Sequence, residues 1–242
     1  MQGSCFNDRR GSPADLSSAD RRQLADIAGP ERVYRRGATI RPERDRVSEA
    51  YIINSGWLFS FLLLGDGSRQ ILRLHLPGDI VSLSCLLFNE PPEYLAAVTD
   101  VSVCPVERGA LWQLVQRQPR IAAGLLLAAQ ADQVALCDRL ASVGRTDARA
   151  RIAALLLDTM TRLRRINGGI RSSFAFPLTQ EEIGDATGLT AVHVNRMIRA
   201  LMRDGVIAKR AGVLTVLDEH RLRATACYAD RFADGSDGER CG

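Results

Sequence analysis

Short apolar stretches separated by glycines fill residues 34–106. They cover residues 50–54, 57–64, 69–76 and 96–104. In the third stretch, leucines alternate with Arg73 and His75, which is the period of two expected of a half-buried strand with polar side chains at the surface. Asp66-Gly67 lies between the second and third stretches and predicts a hairpin turn, since glycine accepts a positive φ. The pattern predicts an antiparallel β-roll or barrel.

Helices are predicted from residue 108 onwards, where Ala, Leu, Gln and Arg dominate. Pro119 separates a short helix from a long one that we expect to reach about residue 143. The long helix is apolar on more than one face, through Ile121, Leu125, Leu126, Leu127, Val134, Leu136 and Leu140. Such a helix needs two partners, so we expect it to pack on its own β-roll and on the same helix of a second subunit. A helix buried wholly inside one chain stays open as the alternative.

Two further helices are predicted outside these regions. Ser17 and Ser18 are a cap signal for a helix over residues 18–27. Residues 147–166 have apolar positions at helical spacing, and Asn167-Gly168-Gly169 ends that helix.

Residues 178–202 carry the most informative pattern. Thr179 and Glu182 form a capping-box signature for a short helix, which we expect to end near Gly188. Thr190 is the N-cap of a second helix that runs to about residue 202. Two short helices joined by a tight turn predict a helix-turn-helix.

The second of these helices has two different faces. Its inward face is predicted from apolar residues at i, i+3, i+4 and i+7, namely Val194, Met197, Ile198 and Leu201. The opposite face carries Val192, Asn195, Arg196 and Arg199. Asparagine can bond adenine and arginine can bond both acceptors of guanine, so this face suits a major groove. Thr179 and Gln180 could hold a phosphate with side chain and backbone amide.

The local charge agrees with this interpretation. Residues 189–212 contain five basic residues and one acid, whereas residues 179–188 contain three acids and no base. Residues 206–207 and 213–217 flank a basic turn at 209–212, which predicts a β-wing. A helical pair whose basic face is merely solvated is the alternative.

Composition is that of an ordinary globular chain. Of 242 residues, 46% are hydrophobic and 25% charged, which excludes a wholly disordered or collagen-like protein. No apolar run approaches the roughly 18 residues needed to span a membrane, and the polar first residues lack the core of a secretion signal. We therefore expect a cytoplasmic protein without membrane segments.

The six cysteines are Cys5, Cys85, Cys104, Cys137, Cys227 and Cys241. They are far apart and form no C-x-x-C pair or zinc-type cluster, so we expect most of them to be free thiols in a reducing compartment. For Cys137, on the predicted long helix, both a redox role and burial as a free cysteine stay open.

Several stretches together carry a family resemblance. Residues 51–57 (Tyr-Ile-Ile-Asn-Ser-Gly-Trp), residues 67–79 ending in Pro-Gly-Asp, Arg-Ile-Ala at 151–153 and residues 178–201 resemble the cAMP receptor protein and FNR (CRP/FNR) family of bacterial regulators. The resemblance extends over about residues 28–220. It implies an α+β fold with an N-terminal cupin-like antiparallel β-roll, a long dimerisation helix and a C-terminal winged helix-turn-helix.

The resemblance also implies the domain organisation and the function. The expected parts are a lead-in (1–27), a β-roll effector domain (28–117), a dimerisation helix (118–144), a winged helix-turn-helix (145–220) and a tail (221–242). The expected function is sequence-specific transcription regulation by a homodimer. It would bind an inverted repeat in double-stranded DNA with half-sites about one helical turn apart. An unidentified signal would act at the β-roll, and RNA polymerase would be a partner.

The family's base-reading positions fall on Ala191, Val192, Asn195 and Arg196. Arg196 matches the common arginine, whereas Val192 stands where many relatives have a glutamate that accepts from cytosine. We therefore expect a shifted DNA preference, with apolar contact to a thymine methyl at that position. The full set of predicted DNA contacts is Thr179, Gln180, Thr190, Ala191, Val192, His193, Asn195, Arg196 and Arg199.

The same resemblance gives expectations about the signal. Cyclic-nucleotide relatives hold the cyclic phosphate with a glutamate after the Gly-Asp turn and a later Arg-Ser pair. Here Ser82 follows that turn and Glu93 lies in the later region, where an acid repels the phosphate, so we do not expect cyclic AMP to bind. An FNR-type iron–sulfur cluster is not expected either, because Cys5 stands alone near the N-terminus. A haem held through His75 stays open beside the commoner case of a surface histidine.

Two other classes of function remain as alternatives. A cupin-type metal enzyme would need clustered ligands, yet the three histidines, His75, His193 and His220, are far apart in sequence. We therefore expect no enzyme and identify no cofactor. A cyclic-nucleotide-responsive module without DNA binding would lack its phosphate ligands.

Overall fold

A computed structural model describes residues 16–40, 49–89 and 92–226. Cys5, Cys227 and Cys241, most of the predicted lead-in and most of the predicted tail lie outside the described residues. The chain divides into two compact units, with the main boundary between Leu136 and Cys137.

The helices agree with the predicted ones, with one addition at the C-terminal end. They are α1 (Ser18–Asp26), α2 (Arg108–Arg117), α3 (Pro119–Arg145), α4 (Ala148–Ile166), α5 (Gln180–Thr187), α6 (Ala191–Arg203) and the unpredicted α7 (Glu219–Ala226). A single 3-10 turn covers Leu83–Leu86. The strands are β1 (Arg32–Tyr34), β2 (Glu49–Ser55), β3 (Leu58–Leu63), β4 (Arg69–His75), β5 (Ile80–Val81), β6 (Tyr94–Ala97), β7 (Val101–Glu107), β8 (Ser173–Ala175), β9 (Ile207–Arg210) and β10 (Val213–Val216).

Two antiparallel sheets form the first unit, which confirms the predicted β-roll. Their strand orders are β1-β7-β2-β5 and β4-β3-β6. Tyr51 and Ile53 of β2 are buried between the sheets, together with Leu58 of β3. Their neighbours on the other face of β2, such as Ile52, pack against the helices through Leu24, Leu111 and Ile121. Strand β2 is therefore apolar on both faces, unlike a half-buried strand.

The apolar stretch at residues 96–104 contains parts of two strands, because the structure divides it between the two sheets. β6 pairs with β3, whereas β7 pairs with β1 and β2. The chain changes sheet at Asp100, whose carboxylate accepts from the Arg36 amide at 3.0 Å and from the Arg35 guanidinium at 2.7 Å. An apolar run gives no signal for such a change of sheet.

The predicted alternation in β4 is also wrong. Ser60 is opposite Arg73 but Phe61 is opposite Ile71, so the register skips Leu72. Such a bulge exchanges the faces of the residues that follow it. Both faces of this strand end are buried, since Leu74 is 3% and His75 7% exposed, and His75 Nε2 lies 3.0 Å from Ser60 Oγ. His75 is not the surface histidine that the pattern predicted.

Helix α3 packs on its own β-roll by one face only. Ile121 and Leu125 are buried in that contact, whereas Leu126 is 61% and Leu140 74% exposed. The alternative of a helix buried wholly inside one chain is therefore wrong. Among the described residues, α3 is also the one helix long and apolar enough to cross a membrane, which is weak evidence because it rests on length and composition alone.

The C-terminal half of the second unit is a winged helix-turn-helix. Its sheet has the order β8-β10-β9, and the sequence analysis missed β8, whose Phe174 is buried between exposed neighbours. The wing turn consists of Ala211 and Gly212, both with positive φ (48° and 78°), as a two-residue type I′ hairpin requires. Lys209 and Arg210 belong to strand β9. The predicted basic turn at 209–212 is thus shorter, and its two basic residues precede it.

Candidate nucleic-acid interface

The predicted capping box starts α5. Thr179 Oγ1 accepts from the Glu182 amide at 3.1 Å, and Glu182 Oε2 accepts from the Thr179 amide at 2.7 Å. The amide of Thr179 is therefore already bonded. A phosphate at this helix end would have to be held by the Thr179 hydroxyl and by Gln180, both of which are exposed.

The turn between α5 and α6 is tight and depends on two glycines. Gly188 ends α5 with φ 67°, a left-handed conformation that glycine adopts without strain. Gly184 lies one turn earlier, and a Cβ added there would be 2.4 Å from the Leu189 carbonyl oxygen. Gly184 is a functional position that sequence reasoning missed.

Helix α6 separates an inward from an outward face. Val194, Ile198 and Leu201 are buried, and Met197 is half-buried. On the other side Val192 is 81% exposed. Arg196 and Arg199 are exposed there, while Ala191, His193 and Asn195 are half-buried. Thr190 caps the helix by accepting from the His193 amide at 3.3 Å.

The outward face of α6 carries uncompensated positive charge. Within the part of the chain that the structure describes, Arg196 and Arg199 form no hydrogen bond or ion pair. The one acid of the region, Asp204, is bound at 2.6 Å by Arg149. Lys209 is half-buried, which lowers its pKa, and its ammonium lies 5.8 Å from the Phe176 ring centre. Seven of the nine predicted contacts thus lie on α6 and its N-cap Thr190, and the other two, the N-cap Thr179 and Gln180, lie at the start of α5.

Two arginines from outside the helix-turn-helix reach the end of α5. Arg139 of α3 donates to the Ala186 carbonyl at 3.2 Å, and Arg151 of α4 donates to the Thr187 carbonyl at 3.4 Å. Helix ends expose such carbonyls, and cations there are favourable. Nothing local in the sequence indicated these contacts, which join residues 47 and 36 positions apart.

Glu93, the acid in the region where the family resemblance predicts phosphate ligands, is hydrogen-bonded within the β-roll. The Ser84 hydroxyl donates to Glu93 Oε1 at 2.8 Å. Arg108 is directed elsewhere, to Asn89 Oδ1 at 2.9 Å and to the Leu86 carbonyl.

The cysteines differ from one another in state. Cys85 and Cys137 are free thiols, as expected for most of the cysteines. Cys104 is disulfide-bonded. The sequence did not predict this bond, because the spacing of cysteines along the chain carries no information on their proximity in space. Burial raises the pKa of Cys85. Cys137 is exposed within one chain. Among the described residues, no group of three or more His, Cys, Asp or Glu side chains could hold a metal ion.

Comparison with known proteins identifies two domains, which correspond to the β-roll and to the winged helix-turn-helix. A family model described as "Crp-like helix-turn-helix domain" matches residues 150–225, and one described as "Cyclic nucleotide-binding domain" matches residues 31–118. The transcriptional activator protein FnrL of Cereibacter sphaeroides is 32% identical over 183 residues, which are 73% of this chain and 72% of FnrL. The nitrogen fixation regulation protein FixK of Bradyrhizobium diazoefficiens is 27% identical over 88% of each chain.

A solved structure extends the likeness to the fold. FixK2 from Bradyrhizobium japonicum superposes with a TM-score of 0.72 at 27% identity, covering 84% of this chain and 99% of that one. The fold and its basic recognition surface define a DNA-binding transcription regulator with an effector domain of the cyclic-nucleotide-binding type. The chain belongs to the CRP/FNR family, which confirms the predicted fold class and the predicted function as a DNA-binding regulator.

Proposed function

We propose that this regulator reads its operator with the first turns of α6. Val192, Asn195 and Arg196 are placed to meet base edges, and Thr179 and Gln180 to meet a phosphate. The observation that carries the proposal is the α6 surface, where Arg196 and Arg199 are exposed opposite a buried apolar face.

Replacing Arg196 with Ala tests this assignment. We expect operator affinity to fall by about tenfold to a hundredfold, because a bidentate arginine–guanine contact contributes about 1–3 kcal/mol. Fluorescence anisotropy with a labelled duplex across a series of salt concentrations measures the effect. Arg203→Ala, at the far end of the same helix, removes the same charge and should weaken specific and random duplexes alike. Equal losses for Arg196→Ala and Arg203→Ala would contradict the assignment.

We propose further that the protein binds an inverted repeat as a cytoplasmic homodimer joined through α3. The exposed apolar side chains of α3 support this, since a second copy would cover them. RNA polymerase is proposed as a protein partner because the relative FnrL is named a transcriptional activator. We infer no catalytic activity, since the relatives are regulators. In vitro transcription from an operator-bearing template tests the polymerase contact, and no change in transcript level would contradict it.

We propose that the β-roll responds to a signal other than cyclic AMP. The Ser84–Glu93 bond supports this, because the carboxylate would face the cyclic phosphate. An iron–sulfur cluster is not proposed, because among the described cysteines two are free thiols, Cys85 and Cys137, and Cys104 is disulfide-bonded, whereas such a cluster takes four thiolates. A haem on His75 is disfavoured by its bond to Ser60. Calorimetry with cyclic AMP should show no heat of binding, and the absorption spectrum of anaerobically purified protein should lack haem and cluster bands. A micromolar cyclic AMP affinity or a Soret band would overturn the proposal.

A further inference from the structure

The C-terminal end of α5 lacks a cation of its own. No basic residue stands in its last turn, yet its final carbonyls carry the negative end of the helix dipole. Arg139 reaches the Ala186 carbonyl from α3 at 3.2 Å. This bond lies directly before the Gly188 turn, which sets where α6 begins.

A second contact joins the same face of α3 to that turn. Val143 follows Arg139 by one helical turn, so both project from one side of α3. Val143 Cγ1 lies 3.5 Å from the position that a Cβ on Gly188 would occupy. Arg139 and Val143 of α3 therefore contact the end of α5 and the turn before α6, alongside Arg151 of α4, which donates to the Thr187 carbonyl at 3.4 Å.

Leu140, which follows Arg139 in α3, projects from a different side of the helix. Leu140 is 74% exposed, and consecutive helical residues differ by about 100° around the axis. One segment of α3 thus presents Leu140 to the proposed second subunit and Arg139 to the helix-turn-helix.

We propose that Arg139 is a positioning residue for DNA recognition. It holds the α5–α6 turn on the last turns of α3, directly before the helix that carries the proposed base contacts. Arg139 acts through α5 and does not itself contact bases. The inference rests on the proposed reading of DNA by α6.

The test compares Arg139→Ala, Arg139→Lys and Arg145→Ala. Arg145 is an exposed arginine of the same helix, so its loss controls for charge. Two labelled duplexes serve as probes: one selected from a random library by the unaltered protein, and one of scrambled sequence. Anisotropy gives both dissociation constants, and sedimentation and thermal melting check the dimer and the fold.

We expect Arg139→Ala to weaken binding to the selected duplex about tenfold or more, since it removes a charge-assisted hydrogen bond that positions the reading helix. Binding to the scrambled duplex should change no more than in Arg145→Ala, because phosphate contacts persist. Arg139→Lys should restore most of the affinity. Faster amide exchange at residues 188–193 should accompany the loss.

Three outcomes overturn the inference: unchanged affinity in Arg139→Ala, equal losses on both duplexes, or no recovery in Arg139→Lys. If Arg139→Ala does not fold, the lysine variant decides alone, since it should keep selective binding. Arg196→Ala is measured in parallel. An effect of Arg196→Ala without one of Arg139→Ala removes only this inference, whereas no effect of Arg196→Ala removes the proposed recognition itself.

Discussion

Gly184 shows how a missing side chain shapes the turn before the recognition helix. A Cβ at this position would be 2.4 Å from the Leu189 carbonyl oxygen, and Leu189 itself donates its amide to the Gly184 carbonyl at 3.1 Å. Backbone meets backbone here, so no flexible side chain can move aside. The turn is therefore built around the absence of a Cβ.

Gly184→Ala should destabilise the winged-helix unit by about 1–3 kcal/mol, the usual cost of overpacking. Thermal unfolding followed by circular dichroism measures the loss. Gly144→Ala is the matched control: Gly144 is also helical, nothing lies within 4 Å of its added Cβ, and alanine favours a helix by about 1 kcal/mol. Equal melting temperatures for the two variants would contradict this account of the turn.

Residue roles could be predicted from the sequence where the cause is local. Thr179, Thr190 and Gly188 act on atoms within four positions of themselves, so capping and turn rules were enough to place them. Arg139 and Gly184 depend on atoms that only the folded turn brings close. Glu93 was placed in the sensor region by family resemblance, but its bond to Ser84 needed the structure.

The helix α7 is attached to α4 by an ion-pair network. Arg164 donates two hydrogen bonds to the Glu219 carboxylate, at 3.0 and 2.8 Å, and Arg223 donates to Oε1 at 2.8 Å. The hydrogen bond with Arg164 is the main cause that lowers the pKa of Glu219 below its ordinary 4.5. Because the pKa of Glu219 is lower in the folded protein, its ionised carboxylate stabilises the folded state fully at pH values above the ordinary 4.5. This contribution is lost as the pH falls through the folded pKa.

Glu219→Gln should therefore lower the melting temperature near pH 7 and progressively less below pH 4.5. Melting curves at several pH values between 7 and 3 measure the difference from the unaltered protein. Glu181→Gln removes an exposed carboxylate from α5 and controls for net charge. A difference that stays constant over this range would show that Glu219 acts by packing and not through its charge.

Elements were predicted well where their periodicity was regular and poorly where a sheet is irregular. The helices α3, α4 and α6 have long apolar periods, and their existence followed from them. Because of the bulge at Leu72, Ile71 and Leu74 lie opposite Phe61 and Phe59 on one face although they are three positions apart, and an alternating pattern cannot reveal a skipped residue. Strand β8 was not predicted, although apolar residues alternate at Phe174, Phe176 and Leu178. A strand of three residues that follows shortly after Gly168-Gly169 resembles a loop.

At the scale of the whole molecule, α3 carries a stripe of five large apolar side chains that one chain leaves uncovered. Leu126, Leu127, Val134, Leu136 and Leu140 are all exposed. Only Ile121, Gly124, Leu125 and Ala131 of this helix are buried. A second subunit in the proposed dimer would cover this stripe. A subunit contact of this kind also explains why the composition of α3 resembles that of a membrane span.

Leu140→Glu should convert the dimer to monomers of 26.5 kDa, because a charge would be buried at the subunit contact. The monomer should still fold, since Leu140 is 74% exposed within one chain. Sedimentation equilibrium measures the mass. Leu87→Glu, at a residue 78% exposed outside α3, should remain dimeric. A dimeric Leu140→Glu protein would place the subunit contact elsewhere.

The central claim is that a dimer of this chain reads an inverted repeat through α6. Selection of bound duplexes from a random library by the purified protein, followed by sequencing, tests it most directly. We predict two inverted half-sites whose centres lie about one helical turn apart, with a guanine preference that disappears in Arg196→Ala. Enrichment of an unpaired single site, or of no sequence, would contradict the claim.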